Sequence, residues 1–519
     1  MGEVSVFEAS DASAPGSEAE QAAFRRLQSR LPALFRTVFP DPRAPRTVVV
    51  VPSLSLDQEV LAKITGVHHY EERMLCLLML LRLPRTRIVF VTSEPIPDTI
   101  IDYYLHLLPG IPARHARDRL SLIACHDATA QPLAAKILAR PRLLERLRAA
   151  IGDPTIAHMT CFNVSPLERA LALQLDVPIY GCDPELLPLG SKSGSRRLLR
   201  EAGVTVPAGI EDLKDAAQLA EALTEMKRRN PALDRAVVKL NEGFSGEGNA
   251  IFSFAGAPED RGLPDWVRDR LPHLAFEAKG MQWDAFAAKI AEMGAIAETF
   301  IPGDVKRSPS VQYRIDPLGR IEVISTHDQV LGGTSGQIFL GCRFPADPDY
   351  RLEIQNAGLR AAEALRGHGV LGRFGIDFIS VKEDDGWRHY GIEINLRKGG
   401  TTHPFQMLQF LTDGRYDSET GLFLTPGGRA CCYEASDNLE SPLYRGLTPD
   451  DLIDIAVMNG LHFHAATQEG VAFHLLGALS EFGKFGLMAV AETPARASEL
   501  FEETVAVIAR ETGGSGTEG

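Results

Sequence analysis

Continuous apolar runs separated by stretches of helical periodicity fill the first third of the chain. Thr47–Val51 is a β-branched run bounded by Pro45 and Pro52. A run without polar alternation predicts a strand buried on both faces. Arg87–Thr92 and Ser121–Ala124 read the same way. Helices are predicted at about 56–64, 69–82, 97–108, 141–151 and 165–174. Strand and helix in alternation predict an open parallel α/β sheet, here over residues 23–190.

A second texture starts at Ser191. Lys192–Ala202 reads as a helix stopped at Gly203, followed by extended Val204–Pro207 and a helix near 213–229. Strands Ala236–Leu240 and Ala250–Phe254 flank a Gly-rich loop. From Ile296 to Ile379 strands dominate around one helix near 352–367, and a β-hairpin occupies 372–396. Near residue 430 the pattern changes again. A helix at 449–458, strand-like stretches at 471–475 and 485–491, and a last helix opened by Thr493 and Pro494 follow. The expected plan is a disordered tail (1–22), an α/β domain (23–190), a strand-rich central domain (191–427), a small C-terminal α+β domain (428–510) and a second tail (511–519). No internal repeat is visible.

The hairpin carries the most chemistry. Centring it on Asp385 sets Asp377 opposite Glu393, Gly375 opposite Asn395 and Arg373 opposite Arg397. Opposed and alternate residues share a face. Arg373, Asp377, Glu393, Asn395 and Arg397 then project on one side, with Phe374, Ile376, Phe378, Ile392, Ile394 and Leu396 on the other. A solvated polar face with paired charges is the bland alternative. Two carboxylates beside an amide oxygen are instead the hard donors Mg²⁺ prefers, with room left for water and phosphate. Two such ions bridging a polyphosphate would neutralise charge during phosphoryl transfer.

Two further segments fit a nucleotide. The loop Asn241–Asn249 holds Gly243, Gly246 and Gly248 beside Ser245, and Lys239 precedes it on its strand. Glycines let backbone amides approach phosphate oxygens. Ile296–Gly303 is an apolar strand running into a Pro-Gly bend, able to offer backbone groups to an adenine edge.

Composition narrows the rest. Hydrophobic residues make up 45% and charged residues 24% of 519, as in a soluble globular protein with a large core. The net charge of −14 disfavours a nucleic-acid partner. The Arg clusters at Arg140–Arg148 and Arg196–Arg200 read as solvated helix faces. Seven cysteines lack disulfide or zinc spacing and fit a reducing, cytoplasmic setting. The start is acidic and small, unlike a signal peptide, and no apolar run is long enough to span a bilayer. His462, His464 and His474 read as satisfied histidines rather than a metal site. Whether the chain is a homo-oligomer is left open.

The order of these features resembles the ATP-grasp superfamily over about 190–427. It comprises a Lys-bearing helix ending in Gly203-Val204-Thr205-Val206-Pro207, then Val-Val-Lys with a Gly-rich loop, then Glu-x-Phe-Ile-x-Gly, then Gly-Ile-Asp-Phe with Glu-Ile-Asn-x-Arg. Glu393-Ile394-Asn395-Leu396-Arg397-Lys398-Gly399-Gly400-Thr401-Thr402-His403-Pro404 looks like the pheganomycin-type peptide ligases and their carboxylate–amine ligase relatives. Ser436–Leu439, Gly470–His474 and Gly483–Gly486 look like that family's C-terminal domain. The resemblance implies a pre-ATP-grasp α/β domain, a two-lobed ATP-grasp region, and ATP with Mg²⁺ as cofactors.

Residue by residue, it implies that Lys192 and Lys239 meet the phosphates and that Gly243, Ser245 and Gly246 cover them. Glu298, Thr299, Phe300 and Ile301 would hold adenine, and Asp304 is the nearest acid for the ribose. Asp377, Glu393 and Asn395 would carry the metal, and Arg397 would meet the transferring group. Arg373 and Arg314, with Gln312 beside Arg314 on one strand face, are candidates for a substrate carboxylate. His403 is a candidate for the acceptor amine or a phosphate. The expected activity joins a small-molecule or peptide carboxylate to an amine through an acyl phosphate, which needs no Ser or Cys nucleophile. Carboxylation or thioester formation is a rival without a biotinyl-lysine or phosphohistidine signature here. A regulatory or assembly protein with a dead site is the other, opposed by the intact Lys, Asp, Glu and Asn positions.

Overall fold

The computed structural model describes residues 15–55, 64–243, 248–278, 280–332 and 338–513, and its chain divides into two compact units, Met1–Pro184 and Glu185–Gly519. In the first unit, β1 (Arg46–Val51), β2 (Thr86–Thr92), β3 (Leu120–Ala124) and β4 (Ala157–Cys161) form a parallel sheet in the order β3-β2-β1-β4. Val48–Val51 are at most 1% exposed, because helices cover both faces of a parallel sheet. The first helix runs from Glu18 to Gln28, capped by Ser17, so the chain orders before residue 23. Its Glu20 is buried and pairs with Arg169 at 3.2 Å. A carboxylate with a buried partner cannot be recognised from its exposed-looking neighbours. Val67–Arg82 winds as a 3₁₀ helix, and the helix expected at 56–64 falls almost wholly outside the described residues.

The second unit opens with the helix Lys192–Glu201. Strands β5 (Gly209–Leu213), β6 (Arg235–Leu240), β7 (Asn249–Ser253), β8 (Ala275–Phe276) and β9 (Ala295–Thr299) make an antiparallel sheet ordered β5-β9-β6-β7-β8. Val238, Phe252, Phe286, Ile290 and Ala297 fill its core. A nine-stranded sheet follows. It contains β10 (Lys306–Arg307), β11 (Pro309–Ile315), β12 (Ile321–Gly332), β13 (Ile338–Phe344), β14 (Gly372–Glu383) and β15 (Gly386–Asn395). After a small ribbon of β16 (Arg415–Asp417) and β17 (Leu422–Leu424), the C-terminal segment adds β18 (Cys432–Glu440), β19 (Gly470–His474) and β20 (Lys484–Ala491).

Those last strands extend the same sheet. Cys342, Arg343 and Phe344 of β13 pair with Ala435, Glu434 and Tyr433 of β18. The C-terminal segment is α+β as expected, with the helix Pro494–Glu511 packed on β18 and β20, but it has no separate sheet. All seven cysteines are buried, and none of them forms a disulfide. Among the described residues, no helix is long and apolar enough to cross a membrane.

Candidate functional site

Hairpin β14–β15 turns through Asp384 and Asp385, so its centre lies between them rather than on Asp385. Run straight, that turn would set Asp377 against Ile392. A β-bulge after Asp377 takes up one residue, and Asp377 faces Glu393, Ile376 faces Ile394 and Gly375 faces Asn395. A bulge re-aims side chains at a strand position where function needs it. The apolar side follows the pattern, with Phe374, Ile376, Phe378 and Ile394 at most 2% exposed. Arg373 does not face Arg397, since β15 ends at Asn395; its ladder partner is Arg314 of β11.

Asp377 is held from three sides. Gln329 Nε2 donates to Oδ1 at 3.0 Å, Asn395 Nδ2 donates to Oδ2 at 2.9 Å, and the Ser310 hydroxyl donates as well. Burial, then the charge of Glu393, pushes the Asp377 carboxyl up to about 6, against the pull of Ser310, Arg397 and Lys192. Glu393 shares that burial, yet Lys192, Arg397 and Lys239 outweigh it and hold its carboxyl below the ordinary range. Lys192 pairs directly with Glu393.

The helix Lys192–Glu201 joins the five-stranded and nine-stranded sheets of this unit. Its first amides lock onto the end of β6: Lys192 N donates to Asn241 O at 3.1 Å, and Ser193 N to Asn241 Oδ1 at 3.0 Å. Two turns of the same helix lie along β15, where the Ile394 N–H donates to Ser195 Oγ at 3.0 Å. Lys192 therefore arrives beside Glu393 from a rigid element.

Lys239 is buried and pairs with Glu298 at 2.5 Å. Glu298 also takes Arg196 Nη1 at 2.6 Å, and Arg196 reaches Glu211 at 2.7 Å and Pro207 O at 2.7 Å. Arg196 is 1% exposed, so the Arg196–Arg200 cluster is not a solvated face at its first member. Arg200 meets the same Glu211 from the surface. A buried guanidinium persists where carboxylates and carbonyls satisfy its fork.

The Glu298 carboxylate is thus spoken for by cations, and the rest of its segment turns outward. Thr299 N donates to Ala208 O at 2.8 Å and Phe300 N to Arg235 O at 3.1 Å. The Phe300 ring lies 3.9 Å from the Arg235 guanidinium and 4.6 Å from Lys306 Nζ, which also donates to Ile301 O at 3.2 Å. Asp304 is exposed just before β10. Gly243 stands at the neck of the Gly-rich loop, where an added Cβ would lie 3.4 Å from Gly248 Cα. Ser245 and Gly246 lie outside the described residues.

Gln312 is buried, donates to Ser310 Oγ at 2.9 Å, and lies across Gly375, where a Cβ would meet its Nε2 at 2.6 Å. It is thereby one bond from the hydroxyl on Asp377. Arg314 pairs with Glu322, its ladder partner on β12. His403 is buried in the first turn of the helix Thr402–Thr412, against His474 of the C-terminal segment. Ser310, Gln329, Asn241 and Arg196 were missed from sequence. Only Arg196 left a signal, one helical turn after Lys192 and so on its face.

The donor set suits a hard divalent cation bound with its nucleotide. Asp377 offers carboxylate oxygens crowded by Glu393, and Asn395 spends its amide N–H on Asp377, which leaves its carbonyl oxygen for a metal. Among the described residues no three Asp, Glu, His or Cys side chains converge to hold a metal unaided. Phosphate oxygens and water would complete the shell.

Two family models match: the IQCH-like ATP-grasp model over residues 186–256 and 261–419, and the PGM1 C-terminal domain over 451–504. An L-propargylglycine–L-glutamate ligase of Streptantibioticus cattleyicolor is 32% identical over 462 residues, spanning 86% of this chain and 91% of the relative. The chain belongs to the ATP-grasp carboxylate–amine ligases. Members of this family are ATP-dependent carbon–nitrogen ligases. Solved structures share the ATP-grasp fold at low identity. A biotin carboxylase from Campylobacter jejuni superposes with TM-score 0.54 at 13% identity, over 89% of this chain and 91% of that one. The biotin carboxylase domain of Hydrogenobacter thermophilus 2-oxoglutarate carboxylase, solved with MgADP, gives 0.53 at 13% identity, over 89% of each chain.

Proposed function

We propose that this ligase joins the carboxylate of one amino acid or short peptide to the amine of another, through an acyl phosphate, with release of ADP and phosphate. The observation that carries the reading is the meeting of Asp377, Glu393 and Asn395 with Lys192, supplied by a different element. The relative's substrates, two amino acids by its name, point to the same substrate class.

Carboxylates are poor acyl donors because hydroxide is a poor leaving group. An oxygen of the substrate carboxylate attacks the γ-phosphorus of ATP and ADP departs. The amine nitrogen then forms the C–N bond as the acyl C–O bond breaks, and phosphate leaves. Asp377, Glu393 and Asn395 hold Mg²⁺, two ions in this reading, whose charge offsets that of the triphosphate. Lys192 and Lys239 pass from carboxylate partners to phosphate oxygens as the nucleotide enters, and Arg397 faces the transferring group. The segment Glu298–Ile301 with Asp304 borders the nucleoside, and Arg373, Arg314 and Gln312 flank the acid substrate. Incubation with ATP, Mg²⁺ and pooled amino acids, read by ADP release and mass spectrometry of condensed products, tests the proposal. ADP release that ignores every amino acid, with no condensed product, would overturn it.

A further inference from the structure

The phosphoryl-transfer step leaves one buried group unused. His403 Nε2 and His474 Nε2 lie 3.0 Å apart, with ring centroids 4.6 Å apart and planes at 66°. The two residues are 4% and 2% exposed. Nitrogens this close share one proton: one ring donates its Nε2–H, and the other accepts and carries its own proton on Nδ1. The pair can take up one further proton on the donor ring while keeping that bond. A second would set two imidazolium ions in contact.

The backbone is shaped for this contact. Gly486 of β20 lies opposite His474 in the ladder, and a Cβ there would sit 2.1 Å from His474 Nε2. Any side chain at that position drives the ring off His403. The C-terminal segment thus commits two positions, His474 and Gly486, to fixing one histidine of the central region. That histidine follows the Gly399-Gly400-Thr401 bend, which continues directly from β15 and Arg397.

We infer that His474 is a positioning residue that holds His403 to receive the proton of the incoming amine. The inference rests on the ligase reading above. The acceptor enters as an ammonium ion. It loses one proton to the histidine pair, and its freed lone pair forms the C–N bond as the acyl C–O bond breaks. Its second proton leaves with the phosphate. The C-terminal segment would then belong to the amide-forming half of the reaction and not to the phosphorylating half.

Hydroxylamine separates the halves, because it is uncharged at neutral pH and traps acyl phosphates as hydroxamates without a base. Wild type, His474→Gln and Gly486→Ala are each given ATP, Mg²⁺ and an amino-acid pool containing L-propargylglycine and L-glutamate, with and without hydroxylamine. The amide-to-hydroxamate ratio should fall at least about tenfold in both variants, with KM for ATP unchanged. His474→Gln, which keeps a polar group toward His403, should retain more of the ratio than His474→Ala. An unchanged ratio, including equal loss of amide and hydroxamate, would overturn the positioning role while leaving the ligase reading intact. Absence of both products in the wild type would overturn the ligase reading itself. Gly486→Ala keeps both histidines, so it answers the question if His474→Gln fails to fold.

Discussion

Replacing Asp377 with Asn should make the metal-free protein more stable at neutral pH and no different at acid pH. The Asp377 carboxyl sits at about 6 in the folded chain against an ordinary 3.8, because burial and then Glu393 oppose its charge. A folded-state value above the unfolded one means the group stabilises while protonated. That contribution is complete below about pH 4 and is lost as pH rises through about 6. A tenfold change in proton affinity corresponds to about 1.4 kcal/mol, so the loss is at most about 3 kcal/mol. Residual solvent contact around the half-buried side chain reduces it to about 1–3 kcal/mol. Asn mimics the protonated acid, and the amides of Gln329 and Asn395 can rotate to meet it. Urea unfolding with EDTA, for both proteins at pH 4.5 and pH 7.5, isolates this contribution, since any constant packing offset cancels between the two pH values. The stability difference should grow by about 1–3 kcal/mol from acid to neutral pH in favour of the variant. Addition of ATP with Mg²⁺ should then stabilise wild type much more than the variant. A difference that does not change with pH, or that grows in favour of wild type, would refute the electrostatic reasoning.

Three further outcomes follow from the same geometry. Glu393→Gln should lower turnover at least about tenfold, roughly 1.4 kcal/mol of transition-state stabilisation, in an ADP-release assay, and full activity would remove Glu393 from the metal set. Arg196→Met should destabilise the protein by about 3 kcal/mol in denaturant titration, because it strands the buried Glu298 with Lys239 alone, and a neutral effect would mean the network is dispensable. Amide hydrogen exchange across Asn241–Asn249 should slow when ATP and Mg²⁺ are added, and equal exchange with and without nucleotide would count against a phosphate role for the loop.

The strand content was legible because apolar runs and alternation report burial directly, as at Val48–Val51 and along β14. The opposition of Asp377 to Glu393 was read from the wrong centre. The turn is one half-step earlier, and the bulge after Asp377 restores the pairing. Such a bulge depends on how the strand is held on its other edge, where the Gly391 N–H donates to Thr205 O at 2.8 Å and the Ile394 N–H to Ser195. No local pattern encodes that. Arg196 looked like surface charge because its partners Glu211 and Glu298 lie far along the chain. The joining of β18 to β13 was hidden for the same reason. Each segment reads as a strand, but a pairing between residues so distant in sequence leaves no mark in either. His403 was singled out by its motif, whereas its contact with His474 needed the fold.

The acyl phosphate is the central claim, and isotope transfer tests it most directly. Once the pooled assay has identified the acid substrate, that acid is prepared with ¹⁸O in its carboxylate and turned over with unlabelled ATP. An acyl-phosphate path moves one carboxylate oxygen into the released phosphate at every turnover, so the phosphate should carry one ¹⁸O and ADP should be the nucleotide product. Unlabelled phosphate, or AMP with pyrophosphate, would contradict the account.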